Sequence, residues 1–235
     1  LLLATGSEWS VGASAERNPL RNNATVDVGY RGFSAGALPL AWLVRADSVH
    51  MSPREGPPTT QYQLASPGVN LALGAKPTDS LSVFLLHGDT SLRYRFPAGL
   101  DFGNGITFTG EAESRTRRTD VGASWRWSAD SQTWVKAHTA RQTTGLVLDD
   151  ARYGPQDYRF QSDEKGQFLR HTALWGSHRV SAGWEQVDRD TGSAISDPDV
   201  TSPRSNTERY DMPWVAGEWH SGAWSWMAEA YWPRF

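Results

Sequence analysis

Apolar and polar residues alternate with a period of two along most of this chain. The alternation is clearest at Val121, Ala123, Trp125 and Trp127, which are separated by polar residues or glycine. Successive side chains of a β-strand point to opposite faces, so this pattern predicts strands with one apolar face. No segment keeps a helical period over three turns. The pattern predicts an all-β protein of about eleven strands, each of roughly ten residues, the length that a tilted strand needs to cross a bilayer.

The links between the predicted strands alternate in length. Short turns are predicted near residues 34–37, 76–79, 128–131, 176–178 and 220–222. Longer polar links are predicted near residues 52–61, 97–105, 149–166 and 191–208. Membrane barrels combine short periplasmic turns with longer external loops. The two ends of a soluble sandwich face the same solvent, so a sandwich has no reason to keep this alternation.

Tryptophan is unusually frequent, with 12 residues in a chain of 235. Many of these residues flank the predicted short turns. Indole rings favour the membrane–water interface, where the ring and its N–H group are both satisfied. A girdle at this interface is predicted to contain Trp42, Trp125, Trp127, Trp134, Trp175, Trp184, Trp219, Trp224 and Trp226. The alternative is that these residues form the core of a soluble β-sandwich, although such cores more often use aliphatic side chains and phenylalanine.

Two stretches carry a resemblance to a known class of protein. Residues 118–127 (RTDVGASWRW) and 179–185 (RVSAGWE) are typical of membrane-spanning strands. The chain resembles a bacterial outer-membrane β-barrel, porin-like in the broad sense. The resemblance implies an antiparallel up-and-down transmembrane barrel, with residues 1–235 forming a single β-barrel domain or part of one. It also implies an outer-membrane location and contact with the lipid bilayer and lipopolysaccharide.

The end of the chain predicts that this barrel is incomplete. Closed bacterial barrels normally have an even number of strands. The last predicted strand starts at a short turn and runs outward, and Phe235 lies off its apolar register of Trp224, Trp226, Ala228, Ala230 and Trp232. We therefore expect a part of a larger barrel that lacks at least one strand. A periplasmic domain or partner preceding Leu1 remains open.

Composition removes several classes of function. The net charge of −3 gives no basis for nucleic-acid binding. Cysteine is absent, which excludes disulfides and thiolate metal sites. The acidic residues of the longer links have no calcium-loop spacing and are interpreted as solvated carboxylates; they are Asp149, Asp150, Asp157, Asp188, Asp190, Asp197 and Asp199. No motif for a cofactor occurs, so neither a cofactor nor a metal is expected.

The residues between the apolar positions are predicted to line the interior of the barrel. Charges of both signs suit a hydrated lumen, where they set solute preference. The candidates are Asp27, Arg31, Arg45, Asp47, Asp120, Arg126, Arg170, Arg179, Glu185 and Glu229. The same residues would also suit the solvated outer face of a soluble sheet.

The six histidines raise the question of catalysis. His87 with Asp89 is the most suggestive group, and His50 lies near Ser48 and Ser52. A catalytic group needs a nucleophile, a base and an orienting residue that meet in space, and proximity in sequence does not establish this. Hydrolase and phosphate-binding motifs are missing. The chain is therefore predicted not to be an enzyme.

The leading hypothesis for function is an outer-membrane pore or export channel that passes hydrophilic solutes or polymers through a polar lumen. The first alternative is an anchored surface-binding protein, an adhesin or a phage or polysaccharide receptor, which would act through the loops at residues 149–166 and 191–208. The second alternative is a soluble, tryptophan-rich, carbohydrate-binding β-sandwich.

Overall fold

The chain folds into one antiparallel sheet of eleven long strands and one strand of two residues. The computed structural model describes residues 6–17, 21–35, 38–53, 63–101, 107–150, 154–197, 200–201 and 204–234. The strands are β1 Gly6–Arg17, β2 Arg21–Ser34, β3 Leu40–Pro53, β4 Gln63–Ala75, β5 Leu81–Asp101, β6 Thr107–Ser128, β7 Ser131–Asp150, β8 Gly154–Trp175, β9 His178–Asp197, β10 Val200–Thr201, β11 Arg204–Ser221 and β12 Trp224–Tyr231. The predicted all-β class and the strand number are confirmed.

The long strands pair in chain order, which makes the sheet a meander. The order is β1 to β9, then β11 and β12, while β10 pairs only with β9. Within the described part of the chain β1 does not pair with β12, so the sheet is open at both edges. No second sheet packs against it there, and this single layer rules out the soluble sandwich. No helix formed by the described residues could cross a bilayer.

Four of the five predicted short turns are confirmed, near residues 76–79, 128–131, 176–178 and 220–222, while the turn near 34–37 lies partly outside the described residues. Two of them are the two-residue turns Gly176-Ser177 and Gly222-Ala223, between directly paired strand ends. Gly176 has φ of 62° and Gly222 has φ of 59°. A side chain disfavours this left-handed region, which two-residue hairpin turns require, so glycine suits the first position of each turn.

The prediction of long loops at residues 149–166 and 191–208 is wrong. Strand β8 already begins at Gly154, β9 continues to Asp197 and β11 begins at Arg204. Strands β5 to β9 and β11 contain 18 to 22 residues each instead of roughly ten. These segments look like loops in the sequence because they are polar on both faces, yet their backbone groups stay paired. Most of 52–61 and part of 97–105 lie outside the described residues.

The register divides the side chains into two faces. Partners directly opposite each other in the ladder point to the same side of the sheet. We call the side that carries Asp120 the polar face and the side that carries Trp125 the apolar face. The buried polar side chains all lie on the polar face; they are Asp120, Ser124, His138 and Ser181. Val187, on the same face, is the one buried hydrophobic residue that the described part contains.

No part of the chain that the structure describes packs against the apolar face. The chain exposes 15891 Å², whereas a soluble monomer of 26.0 kDa is expected to expose about 10,500 Å². Part of this excess comes from large apolar side chains such as Val121, Trp125 and Val135, which are about two-fifths exposed or more. Burying such a surface in lipid removes the cost of exposing it to water.

Only the half of the apolar face that lies near the turns carries mainly apolar side chains. On β6 the residues near the turn are Val121, Ala123, Trp125 and Trp127. Farther from the turn the same face carries charges, namely Glu111, Glu113, Arg115 and Arg117. We call these two parts the apolar band and the charged zone. The border between them marks the level at which the strands leave the hydrocarbon.

Two valines on one strand test this border. Val135 and Val147 are both on the apolar face of β7 and are 45% and 47% exposed. Val135 lies in the apolar band, whereas Val147 lies in the charged zone, opposite Glu111 on β6 and Asp157 on β8. Val135→Arg is expected to lower the free energy of unfolding from bilayers by about 2–4 kcal/mol, because a guanidinium would enter hydrocarbon.

The control is Val147→Arg, which is expected to have less than about 1 kcal/mol of effect because its guanidinium stays in water beside two carboxylates. Urea titration of both variants in lipid vesicles measures the difference. Equal destabilisation by the two variants would show that the band is misplaced.

Candidate functional site

All ten residues predicted to line the interior lie on the polar face. Asp27 is opposite Asp47. When the ladder partners are followed from strand to strand, the other candidates fall on the same side of the sheet as these two residues. Few of them contact one another directly. Asp27 and Arg45 lie 3.9 Å apart, whereas Arg31 binds Glu8 at 2.7 Å and Arg179 binds Glu218 at 3.2 Å. Each of these charges is thus paired along the same face.

The strongest group of charges on this face extends across five strands. On β6 and β7, Asp120 accepts a hydrogen bond of 2.8 Å from Nε of Arg118 and lies 3.6 Å from Nζ of Lys136. Farther along the sheet, Glu164 of β8 binds Nε2 of His138 at 2.9 Å and a terminal nitrogen of Arg189 at 2.6 Å.

Glu208 of β11 lies 4.0 Å from Arg189 and ends the group. We call these seven side chains the central network: Arg118, Asp120, Lys136, His138, Glu164, Arg189 and Glu208.

The middle of the central network is shielded from water. Asp120 and His138 are each 8% exposed and lie opposite each other in the ladder. On the other side of His138, the opposite residue in β8 is Gly166. A Cβ atom at residue 166 would overlap the His138 ring, so glycine there allows the imidazole to lie against the strand. Burial of charged groups is tolerated here because each has an oppositely charged or hydrogen-bonding partner.

Aromatic rings adjoin the network toward the turns. Phe168 and Trp214 stack with centroids 6.4 Å apart and planes inclined by 24°. Nζ of Lys136 lies 5.9 Å from the centre of the Phe168 ring, and the guanidinium of Arg170 lies 5.9 Å from the Trp214 ring. These cation–π contacts add to the ion pair of Lys136 with Asp120 and place Arg170 on the polar face.

The sequence interpretation missed most of the central network. It named Asp120, but not Lys136, His138, Glu164 or Arg189. Glu164 lay in a predicted loop, although it shares the parity of Arg170, which was predicted correctly to point to the same face as Asp120. Extending the period of two through the polar segment would have found it. The contacts themselves depend on the register between strands, which the alternation alone does not define.

Eight of the nine tryptophans predicted for a girdle lie on the apolar face. They are Trp42, Trp125, Trp127, Trp175, Trp184, Trp219, Trp224 and Trp226. Trp134 is a correction, because it lies on the polar face opposite Ser124 and Arg170. Proximity to a turn does not decide the face of a residue; Trp134 has the parity of Lys136 and His138.

Trp184 also differs from the others in its level along the strands. It lies at the border with the charged zone, where its Nε1 donates a hydrogen bond of 2.7 Å to Asp211. The other seven lie toward the turns.

Several of the groups considered for catalysis or for calcium bind other side chains. His87 contacts the hydroxyl of Thr119 at 2.8 Å, while both oxygens of Asp89 accept hydrogen bonds from Arg115. Asp157 binds Arg159, Asp188 lies 3.4 Å from Arg209, and Asp190 accepts a hydrogen bond from Thr207. Asp199 lies outside the described residues. Nowhere in the described ranges do three histidine or acidic side chains converge as metal ligands.

Comparison with known proteins supports the fold. No family model matches the chain, and neither does any curated protein. Two solved structures are similar at 10% sequence identity. The ferric citrate transporter FecA in its unliganded form has a TM-score of 0.65, with 95% of this chain and 43% of that chain covered. The ferric yersiniabactin uptake receptor FyuA from Yersinia pestis has a TM-score of 0.61, with 92% and 39% covered.

The chain therefore spans less than half the length of each of these two proteins. The similarity shows that it has the fold of a part of an outer-membrane β-barrel. Together with the unpartnered apolar band, this fold places the chain in the bacterial outer membrane.

Glu164 binds both His138 and Arg189 and gives a test of the central network. Glu164→Gln leaves Arg189 and His138 without their carboxylate, so a loss of about 1–3 kcal/mol in the free energy of unfolding is expected. The control is Glu113→Gln on the other face, where the carboxylate side chain is 52% exposed and lies 3.2 Å from Arg93. An exposed pair of this kind contributes at most about 1 kcal/mol. Urea unfolding in vesicles compares the two variants. A larger loss for Glu113→Gln would contradict the conclusion that the central network stabilises the fold more than an exposed ion pair does.

Proposed function

We propose that this chain forms part of the wall of an outer-membrane transport protein, with its polar face lining a hydrated passage for hydrophilic solutes. One observation carries the proposal: the central network lies across β6 to β11 on the side of the sheet opposite the apolar band. Charged groups at that depth are stable only next to water or other polar groups. The similar solved structures are a transporter and an uptake receptor, which supports transport as the class of function.

The size of the sheet favours a passage over a filled interior. Barrels of about eight strands fill their interior with their own side chains, whereas wider barrels leave space for solvent or solute. This sheet has eleven long strands and is still open, so a closed barrel that contains it is wider than the small filled class. Its polar face carries guanidinium, ammonium and carboxylate groups, which would interact with solutes of either charge.

A surface receptor is the second candidate, and the charged zone favours it. Strands β5 to β9 and β11 continue well beyond the apolar band, so an ordered wall extends past the membrane border. Such a wall presents paired side chains at fixed positions, as a binding surface requires. The surface contact proposed from sequence would then be made by ordered strands and not by long loops.

Adjacent arginines on β6 test the passage. Arg118 lies on the polar face and Arg117 on the apolar face, so Arg118→Gln and Arg117→Gln change the same charge on opposite sides of the sheet. With Arg118→Gln, we expect the ratio of cation to anion permeability to rise, since ions that pass within the screening length of ~10 Å from residue 118 are affected by the loss of its positive charge. Arg117→Gln is expected to leave the ratio unchanged.

The reversal potential across a salt gradient, measured with the full-length protein in planar bilayers, gives this ratio. Equal ratios for the two variants would remove the polar face from the path of the solute. They would favour the receptor instead.

A further inference from the structure

Two arginines face each other at the border between the apolar band and the charged zone. Arg117 of β6 lies directly opposite Arg141 of β7, both on the apolar face. Like charges at directly opposite positions destabilise an antiparallel pair. Other opposite positions of the charged zone are complementary, as Arg93 with Glu113 and Arg95 with Glu111, although Asp163 lies opposite Asp190. On its other side each arginine has a carboxylate opposite it, Asp89 for Arg117 and Asp163 for Arg141, so the two guanidinium groups adjoin each other only between β6 and β7.

The neighbouring carboxylates bind one nitrogen of each of these two arginines. Asp89 accepts hydrogen bonds from Nε of Arg117 at 3.0 Å and from Arg115 at 2.6 Å, so it is shared by two cations. Asp163 accepts from Nε of Arg141, and this hydrogen bond lowers the pKa of Asp163 and keeps it ionised. Arg115, Arg117 and Arg141 thus share the carboxylates of Asp89 and Asp163, and Glu113 and Asp190 lie next to them on the same face.

The terminal nitrogens of Arg117 and Arg141 make no hydrogen bond to any described residue. Both side chains are more than half exposed, at 52% and 61%. Two guanidinium forks are therefore free to donate on the side of the sheet that faces lipid. Arginine forks of this kind match the oxygens of a phosphate group.

The level of the pair along the strands suits a lipid headgroup. Val121 and Ala137 lie opposite each other in the apolar band, and Arg117 and Arg141 are four residues farther from the turns. Four residues correspond to about 13 Å along a strand and to roughly 10 Å along the membrane normal for a strand tilted by about 40°. The headgroup layer occupies about 5–7 Å beyond the hydrocarbon. The Arg117 and Arg141 side chains thus reach this layer, with acyl chains covering the band below.

We propose that Arg117 and Arg141, supported by Arg115, form a binding site for the phosphate of an anionic phospholipid or phosphorylated glycolipid in the leaflet on the side of the charged zone. The phosphate lies between the two guanidinium groups and removes their repulsion, and the acyl chains of the same lipid cover the apolar band. This site lies on the lipid-facing side. It depends on the membrane fold and not on the proposed passage of solutes.

Lipid retention tests this site. The full-length protein, extracted in neutral detergent, is incubated with diphosphorylated lipid A as the probe, and retained lipid is counted by native mass spectrometry. The double variant Arg117→Gln/Arg141→Gln is expected to retain the probe roughly thirtyfold less well, since each arginine near an anionic surface contributes a factor of about five. The matched control is Arg93→Gln/Arg95→Gln, which removes two arginines of the same face that have glutamates opposite them, and it is expected to retain the probe as the unmodified protein does.

Three results would overturn the proposal. The first is equal retention of the probe by the double variant and the control. The second is equal retention of dephosphorylated lipid A by the unmodified protein. The third is displacement of the lipid by inorganic phosphate at equal concentration, which would indicate a site for the free anion.

The single variant Arg141→Gln, checked for folding by heat-modifiable gel mobility, replaces the double variant if that one does not fold. Solute permeability of the same variants is measured in parallel. If a variant loses lipid binding but keeps its solute permeability, the lipid site is separate from the proposed passage.

Discussion

The whole structure depends on the need to pair every peptide group that lies in hydrocarbon. A lipid bilayer offers no water to an unpaired N–H or C=O, so a strand can cross it only with a neighbour on each side. Strands β6, β7 and β8 meet this requirement with continuous ladders along almost their full length. Once the backbone is paired in this way, the side chains are free to alternate between lipid and the opposite face. The period of two in the sequence is the direct result.

The same constraint does not act beyond the membrane, where water satisfies backbone groups. The strands nevertheless continue there, and cross-strand ion pairs such as Arg95–Glu111 and Arg93–Glu113 replace lipid contact on the apolar face. Each exposed ion pair contributes little to the free energy of unfolding by itself. The backbone ladder that continues from the membrane, however, already fixes the positions of the strands that carry these pairs. The extension therefore needs less stabilisation from side chains than an isolated hairpin would.

Sequence predicted the faces well and the strand lengths poorly, for one physical reason. The face of a residue such as Arg170 depends only on counting along its own strand. The length of β8 depends on whether a polar segment finds backbone partners, which composition does not reveal. Glu164 illustrates both points, since it lies in a predicted loop but keeps the parity of its strand. Trp134 shows the reverse error, because its position near a turn was given more weight than its parity. The contact of Glu164 with Arg189 of β9 required the register and was beyond prediction.

The central network is electrically balanced, and this bears on how a polar wall can act on solutes. Its three arginine and lysine side chains face three carboxylates, so these six groups together do not favour ions of one sign. Its field alternates in sign along the sheet, with Lys136 and Arg118 around Asp120 and Arg189 beside Glu164. Such a pattern favours solutes that carry both hydrogen-bond donors and acceptors over simple ions. Each charged side chain of the network can then replace its protein partner with a matching group of the solute. Removing one member of the network breaks this balance and leaves its partner as a net charge on the polar face.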